Sequence, residues 1–322
     1  MSNLDVRPNT VDCGGRDDVA GRPVHELLPP RRVPLGESTV VRRLLPSLGR
    51  RMVGAWCFVD HYGPDDIAGE PGMQVPPHPH IGLQTVSWLH GGEVLHRDSL
   101  GSLRTIRPRE LGLMTAGRAI AHSEESPRGH SPVLHGAQLW VALPDAHRHT
   151  EPAWEYHADL PVVTAPGFTA TLLLGGLDGA VSPGSTFTPI MGADITLEDG
   201  AAARIPVEPD FEYAALTMSG TVEIDGEPVE PGSMLYLGCG RRELAVRAAD
   251  GPGGFVLLGG EPFEEKLVMW WNFIARTGEE IVQAREDWTS GDRFGTVQGY
   301  DGARLPAPAM PAARLKPRGR TR

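Results

Sequence analysis

Two short segments carry side chains suited to holding a metal ion. The first, PPHPHIGLQT at 76–85, sets His78 and His80 on either side of one proline. The second, AHSEES at 121–126, repeats the spacing with His122 and Glu124. On an extended strand, positions i and i+2 point the same way, so each pair can converge on one point. If the two segments are neighbouring strands of one barrel, three neutral imidazoles and one carboxylate meet inside it. Three nitrogens and one oxygen suit Fe(II), Mn, Co, Ni, Cu or Zn. With no thiolate in the set, an octahedral ion with open positions is favoured over a closed structural zinc site. Those positions would take water, a bidentate ligand or dioxygen. Each pair alone has a plainer reading: a solvated His-x-His in a Pro-rich loop, and a turn with a hydrogen-bonded histidine. The combination outweighs it, because both pairs lie beside expected strands of one block. All twelve histidines fall at or before His157.

The elements that would position these residues read as short strands. LQTVSWLHGGEVLHRDSLGSLRTIRPRELGLMTAG (83–117) and YAALTMSGTVEIDGEPVEPGSMLYLGCG (213–240) each run strand, glycine turn, strand, hairpin, strand, Pro-containing turn, strand. Asp225-Gly226 is a two-residue hairpin signal, and Pro231-Gly232 supplies the next turn. Leu83, Thr85, Ser87 and Leu89 alternate with Gln84, Val86, Trp88 and His90, so the two sets face opposite sides of a sheet. Two such blocks imply an all-β chain of two tandem small antiparallel barrels or jelly rolls. Thr277 with Glu280 forms a capping box before a helix whose Ile281, Ala284, Arg285 and Trp288 share one face. That helix is expected outside the second barrel.

The boundaries expected are a flexible N-terminal segment at 1–30, a first barrel with the metal site at 31–150 and a Pro-rich linker at 151–166. A second barrel without a metal site, plus the helix, follows at 167–300, then a disordered basic tail at 301–322. Net charge is -11 over 322 residues, which argues against direct nucleic-acid binding. No apolar run is long enough to span a bilayer, and the N-terminus has no apolar signal core. Cys13, Cys57 and Cys239 are few, odd in number and far apart, as in a reducing compartment, so a cytoplasmic protein is expected.

HPHIGLQTVSWLHGGEVLHRDSLG, MTAGRAIAHSEES, QLWVALP and EEIVQAREDW followed by RFG closely resemble the pirin family of the cupin superfamily, from about Val40 to Phe294 and in the same order. The resemblance implies two facing cupin barrels (a bicupin), with a few short helices near the C-terminus. It implies one non-haem iron, most simply Fe(II), in the first barrel on His78, His80, His122 and Glu124. General cupins often supply a ligand Glu four residues after the second His, where this chain has Gln84. Glu124 then carries the negative charge of the site, and a net positive pocket would favour anionic or enolate ligands.

Some pirins resemble quercetin 2,3-dioxygenases, which implies a small aromatic, flavonol-like substrate and a role for Glu124 as ligand and transient base. Others resemble metal-dependent regulators that bind a transcription factor or a metabolic enzyme; the acidic charge fits a protein partner. A third reading is a scaffold whose histidines bind nothing. Of the remaining residues, His61 could support a ligand. His96-Arg97-Asp98-Ser99 could line the barrel mouth or hold a local Arg–Asp pair, and Trp140 and Met114 read as packing. A monomer is expected, since two barrels can cover each other's open faces.

Overall fold

A computed structural model describes residues 24–35, 39–248 and 250–320. The chain is mostly β and divides into two domains, each a seven-stranded antiparallel sheet with a four-stranded one. In the first domain the large sheet runs in the order Ala153–His157, Leu111–Thr115, Leu83–Gly91, Val133–Ala142, Trp56–Asp66, Thr39–Leu45, Arg31–Leu35. The small sheet runs Gln74–His80, Ile120–Glu125, Val94–Asp98, Leu103–Ile106. The second domain repeats the scheme, and its interior is apolar, with Ile195, Leu235, Leu237, Phe255 and Leu257 buried in one cluster. Its Asp225-Gly226 turn joins Val222–Ile224 to Glu227–Val229 with both φ positive, at 49° and 86°, as a tight hairpin requires.

The two large sheets share one core. Trp56, Trp88 and Leu83 of the first domain cluster with Leu173, Leu216 and Leu258 of the second. The buried indoles find acceptors across the boundary: Trp56 Nε1 donates to Met191 O at 3.1 Å, and Trp88 Nε1 to Asp194 Oδ2 at 3.2 Å. Residues 151–166, expected as a linker, carry two edge strands. Ala153–His157 pairs with Leu111–Thr115 of the first domain, and Val162–Ala165 with Phe168–Leu174 of the second.

Three further segments differ from expectation. Of the N-terminal 30 residues, 1–23, Cys13 among them, lie outside the described residues; Glu26–Leu28, however, is a strand on the second domain's large sheet, with Leu28 buried in the shared core. The C-terminal region holds one helix among the described residues, Gly278–Ser290, capped by Thr277 and Glu280 as the capping box requires. That helix does not lie on the second domain. Its buried Ile281, Ala284 and Trp288 join a cluster with Ile81, Ala119 and Ala121 of the first, through the hairpin Val268–Trp270 and Phe273–Ala275. Residues 301–320 are not a solvated tail. Leu305, Met310 and Leu315 pack on the same cluster, Trp288 Nε1 donates to Leu305 O at 2.8 Å, and Leu305 N to Pro77 O at 2.7 Å. A proline-rich segment has no periodic pattern of its own, and here other elements supply its partners.

The hairpin before the helix presses on the first domain at Gly82, where φ is +70° and an added Cβ would lie 2.2 Å from Ile274 O. Gly82→Ala combines a left-handed backbone with a backbone clash. It is expected to lower unfolding free energy by roughly 2–3 kcal/mol or more, read as a drop in the urea midpoint.

Candidate metal centre

The strand Gln74–His80 is an edge strand of the small sheet. Three prolines are tolerated there because an edge needs no second ladder of N–H donors. Its pairing with Ile120–Glu125 sets His122 opposite His78, and the register then slips, so that Glu124 faces Val75. The slip falls at Pro76-Pro77 and is a local bulge of the kind that re-aims side chains. His78, His80, His122 and Glu124 are all 0–1% exposed.

One nitrogen from each of His78, His80 and His122 lies within 4.8 Å of the other two. His80 Nε2 and His122 Nε2 are 3.1 Å apart. For His78 and His80 the Nδ1 atoms face outward onto partners. His78 Nδ1 meets Pro76 O at 2.8 Å and His80 Nδ1 meets Asn272 O at 3.0 Å. A carbonyl only accepts, so Nδ1 carries the proton in both rings and Nε2 keeps its lone pair for the centre. Burial pushes His78 down to about 4, and burial with neighbouring imidazoles holds His80 and His122 well below the ordinary imidazole range. All three are therefore neutral near pH 7, the form that binds a cation.

Glu124 lies beside this trio and does not join its 4.8 Å cluster. Its Oε1 accepts from Ser87 Oγ at 3.1 Å, and Ser87 Oγ is also 3.0 Å from Gln138 Oε1. Ser87 was legible only as one face of an alternating strand. That face, which also includes Thr85, is the one turned to Glu124. Gln84 is on the other side, where its Nε2 donates to Thr115 Oγ1 at 2.9 Å and to Ser185 O of the second domain at 3.1 Å. The comparison of Gln84 with a cupin ligand is thus corrected by strand parity: the inward position is Thr85.

The remaining residues sort as follows. Trp140 packs, as expected, but packs against the site, edge-on to His80 with ring centroids 5.2 Å apart and stacked on Phe58 at 4.0 Å. His61 does not support a ligand. Arg42 Nε donates to its Nδ1 at 3.1 Å, and its Nε2 meets His135 Nε2 at 3.1 Å. His96 and Asp98 form the local pair, 3.1 Å apart and buried, while Arg97 on the opposite face pairs with Glu125. Met114 is core. Asn272, whose carbonyl orients His80, had no sequence signal, since any residue offers a carbonyl.

Family comparisons agree with this geometry. Residues 38–141 match the Pirin model and residues 192–295 the Pirin C-terminal cupin domain model. The chain belongs to the pirin family. It is 43% identical over 316 residues to a Pseudomonas aeruginosa protein provisionally named a quercetin 2,3-dioxygenase, covering 97% of this chain and 98% of that one. A Caulobacter vibrioides pirin-like protein is 40% identical over 270 residues, covering 81% of this chain and 91% of the other. The crystal structure of quercetin 2,3-dioxygenase from Acinetobacter baumannii matches with a TM-score of 0.87 at 42% identity, over 90% of this pirin and 97% of that chain. Among the described residues no helix is long and apolar enough to cross a membrane.

The depressed imidazoles set an acid limit on this pirin. Burial pushes both His78 and His135 from 6.5 down to about 4. Between those values the unfolded chain binds more protons than the folded one, so stability falls as pH drops from about 6.5 to about 4. His78, fully buried, contributes on the order of 3 kcal/mol to that loss, and His135, partly screened by solvent, contributes less. Urea unfolding of metal-free protein at pH 7.5, 6 and 4.5 is expected to give midpoints in descending order.

Proposed function

We propose that this pirin is a metal-dependent dioxygenase of the quercetin 2,3-dioxygenase type. The ion is held by His78, His80, His122 and Glu124, with Fe(II) as the working metal. The observation that carries this reading is the convergence of three buried imidazole nitrogens, two of them on rings whose far sides are already tied to carbonyls. A first-row divalent cation is the partner that fits such an imidazole-rich set. The identities to the named quercetin 2,3-dioxygenases support the choice of reaction.

When bound, a divalent ion supplies Lewis acidity and a template for the deprotonated oxygens of a flavonol and for dioxygen. The chain's own residues supply the rest. The Nδ1 contacts to Pro76 and Asn272 hold His78 and His80 in the ligating tautomer. Glu124, buried and hydrogen-bonded by Ser87, accepts the proton of the substrate hydroxyl as that oxygen ionises. Trp140 walls the site beside His80 and keeps water from it. One carboxylate against a divalent cation leaves the centre net positive, which favours an anionic, enolate-like ligand.

The test is anaerobic loading with Fe(II), followed by quercetin and dioxygen. Wild-type protein is expected to consume the flavonol absorption band. His78→Ala should abolish metal retention and turnover together, whereas Glu124→Gln should lower kcat by roughly 100-fold or more. Wild-type protein that retains one metal per chain but leaves quercetin and related catechols intact would overturn the enzyme reading in favour of metal-dependent regulation. Protein that retains no metal would overturn both.

A further inference from the structure

His122 differs from the other two imidazoles in what holds its outer nitrogen. Where they meet a carbonyl, it meets another ring. Its Nδ1 lies 3.4 Å from Nδ1 of His96, and Nε2 of His96 lies 3.1 Å from Oδ2 of Asp98. The three residues sit on paired strands, with His122 opposite Asp98 and Glu124 opposite His96. His96 is 1% and Asp98 0% exposed. The His96 ring is clamped flat on Trp154, with centroids 3.7 Å apart and planes at 5°. Asp98 is held too, its Oδ1 accepting from Leu100 N and Ser102 N at 2.9 Å each.

We infer that Asp98 and His96 are positioning residues that set the tautomer of His122 and so arm it as a ligand; the inference rests on the metal-site reading above. The reasoning is one of hydrogen-bond polarity. A neutral imidazole has one donor and one acceptor nitrogen. An ionised carboxylate can only accept, so Asp98 requires the proton of His96 on Nε2. With the His96 ring neutral, its Nδ1 is then an acceptor and takes the proton of His122 Nδ1. His122 Nε2 is left with its lone pair, aimed at the trio. The opposite polarity would set a lone pair of His96 against the Asp98 carboxylate, and would put a proton on His122 Nε2 where the metal must bind. Ending the relay on a buried anion also raises the basicity of His122 above that of a carbonyl-bonded imidazole. The Trp154 clamp prevents His96 from rotating out of line. Trp154 belongs to the edge strand that follows the first domain's last long strand, so this strand serves the site as well as the sheet.

Asp98→Asn is the sharp test. The amide side chain can keep its oxygen on the Leu100 and Ser102 amides, which preserves the turn, but presents an NH2 donor to His96. The relay then inverts. The first measurement is long-range 1H–15N correlation of the histidine side chains in metal-free protein, which reports tautomers directly. Wild type is expected to carry the His122 proton on Nδ1, and Asp98→Asn to carry it on Nε2. The second is Co(II) titration by absorption at constant pH. Asp98→Asn is expected to bind roughly 10- to 100-fold more weakly than wild type, and His96→Phe, which keeps the stack on Trp154 but removes the relay, to weaken binding over the same range. A wild-type His122 already protonated on Nε2 would overturn the inference, even if neither variant folds. So would wild-type affinity in a folded Asp98→Asn. Wild-type protein that binds no Co(II), with the expected tautomers in place, would instead sink the metal-site reading and leave the relay standing.

Discussion

Imidazole nitrogens gathered at one point out of water need a proton or a cation between them. His80 Nε2 and His122 Nε2 are buried and 3.1 Å apart, within hydrogen-bond distance, with His78 completing the trio. Much of the first domain serves to hold this meeting. The edge strand aims His78 and His80 inward and slips its register beside them. The paired strand brings His122 opposite His78. The carbonyls of Pro76 and Asn272 remove the alternative of turning Nδ1 toward the centre. Without such restraints the rings would rotate away from one another, and no preformed cation site would exist.

The two domains share an architecture and divide the work. Residues 167–300 of the second include no histidine, and its interior is filled with aliphatic and aromatic side chains. Its large sheet forms one core with that of the first domain, and this fixes where the chain beyond it can return. The return is the hairpin whose turn holds Asn272, lying against Ile81 and reaching His80. The following helix and the segment 301–320 seal that contact from outside. A duplicated fold in which one copy buttresses the other explains why the metal-site reading, drawn from the first half of the chain, needs the second half to be rigid.

Strand parity accounts for the main misreadings. Gln84 was compared with a ligand position by counting residues from His80, but counting does not say which face a residue occupies; Gln84 faces the second domain and Thr85 faces inward. In His96-Arg97-Asp98 the tempting neighbours are Arg97 and Asp98, yet adjacent strand residues point apart. The inward pair is His96 with Asp98, and Arg97 turns outward to Glu125. His61, next to Asp60 in a buried strand, pairs with Arg42 and His135 and not with the site.

What the sequence determined by itself was whatever depends on local spacing and composition. The i, i+2 pairs at 78/80 and 122/124, the hairpin at Asp225-Gly226, the capping box at Thr277 and the duplicated all-β pattern are short-range signals, because strand alternation and turn geometry act over a few residues. The family resemblance extended those signals to a ligand set. Tertiary structure alone decided which groups stand behind the ligands: Asn272, 192 residues from His80, Ser87 against Glu124, and His96 with Asp98 against His122. It also decided that the helix covers the first domain and that a proline-rich terminus packs. Those outcomes turn on backbone carbonyls and on apolar surfaces from distant strands, which leave no local pattern because any residue type can supply the one and many can supply the other.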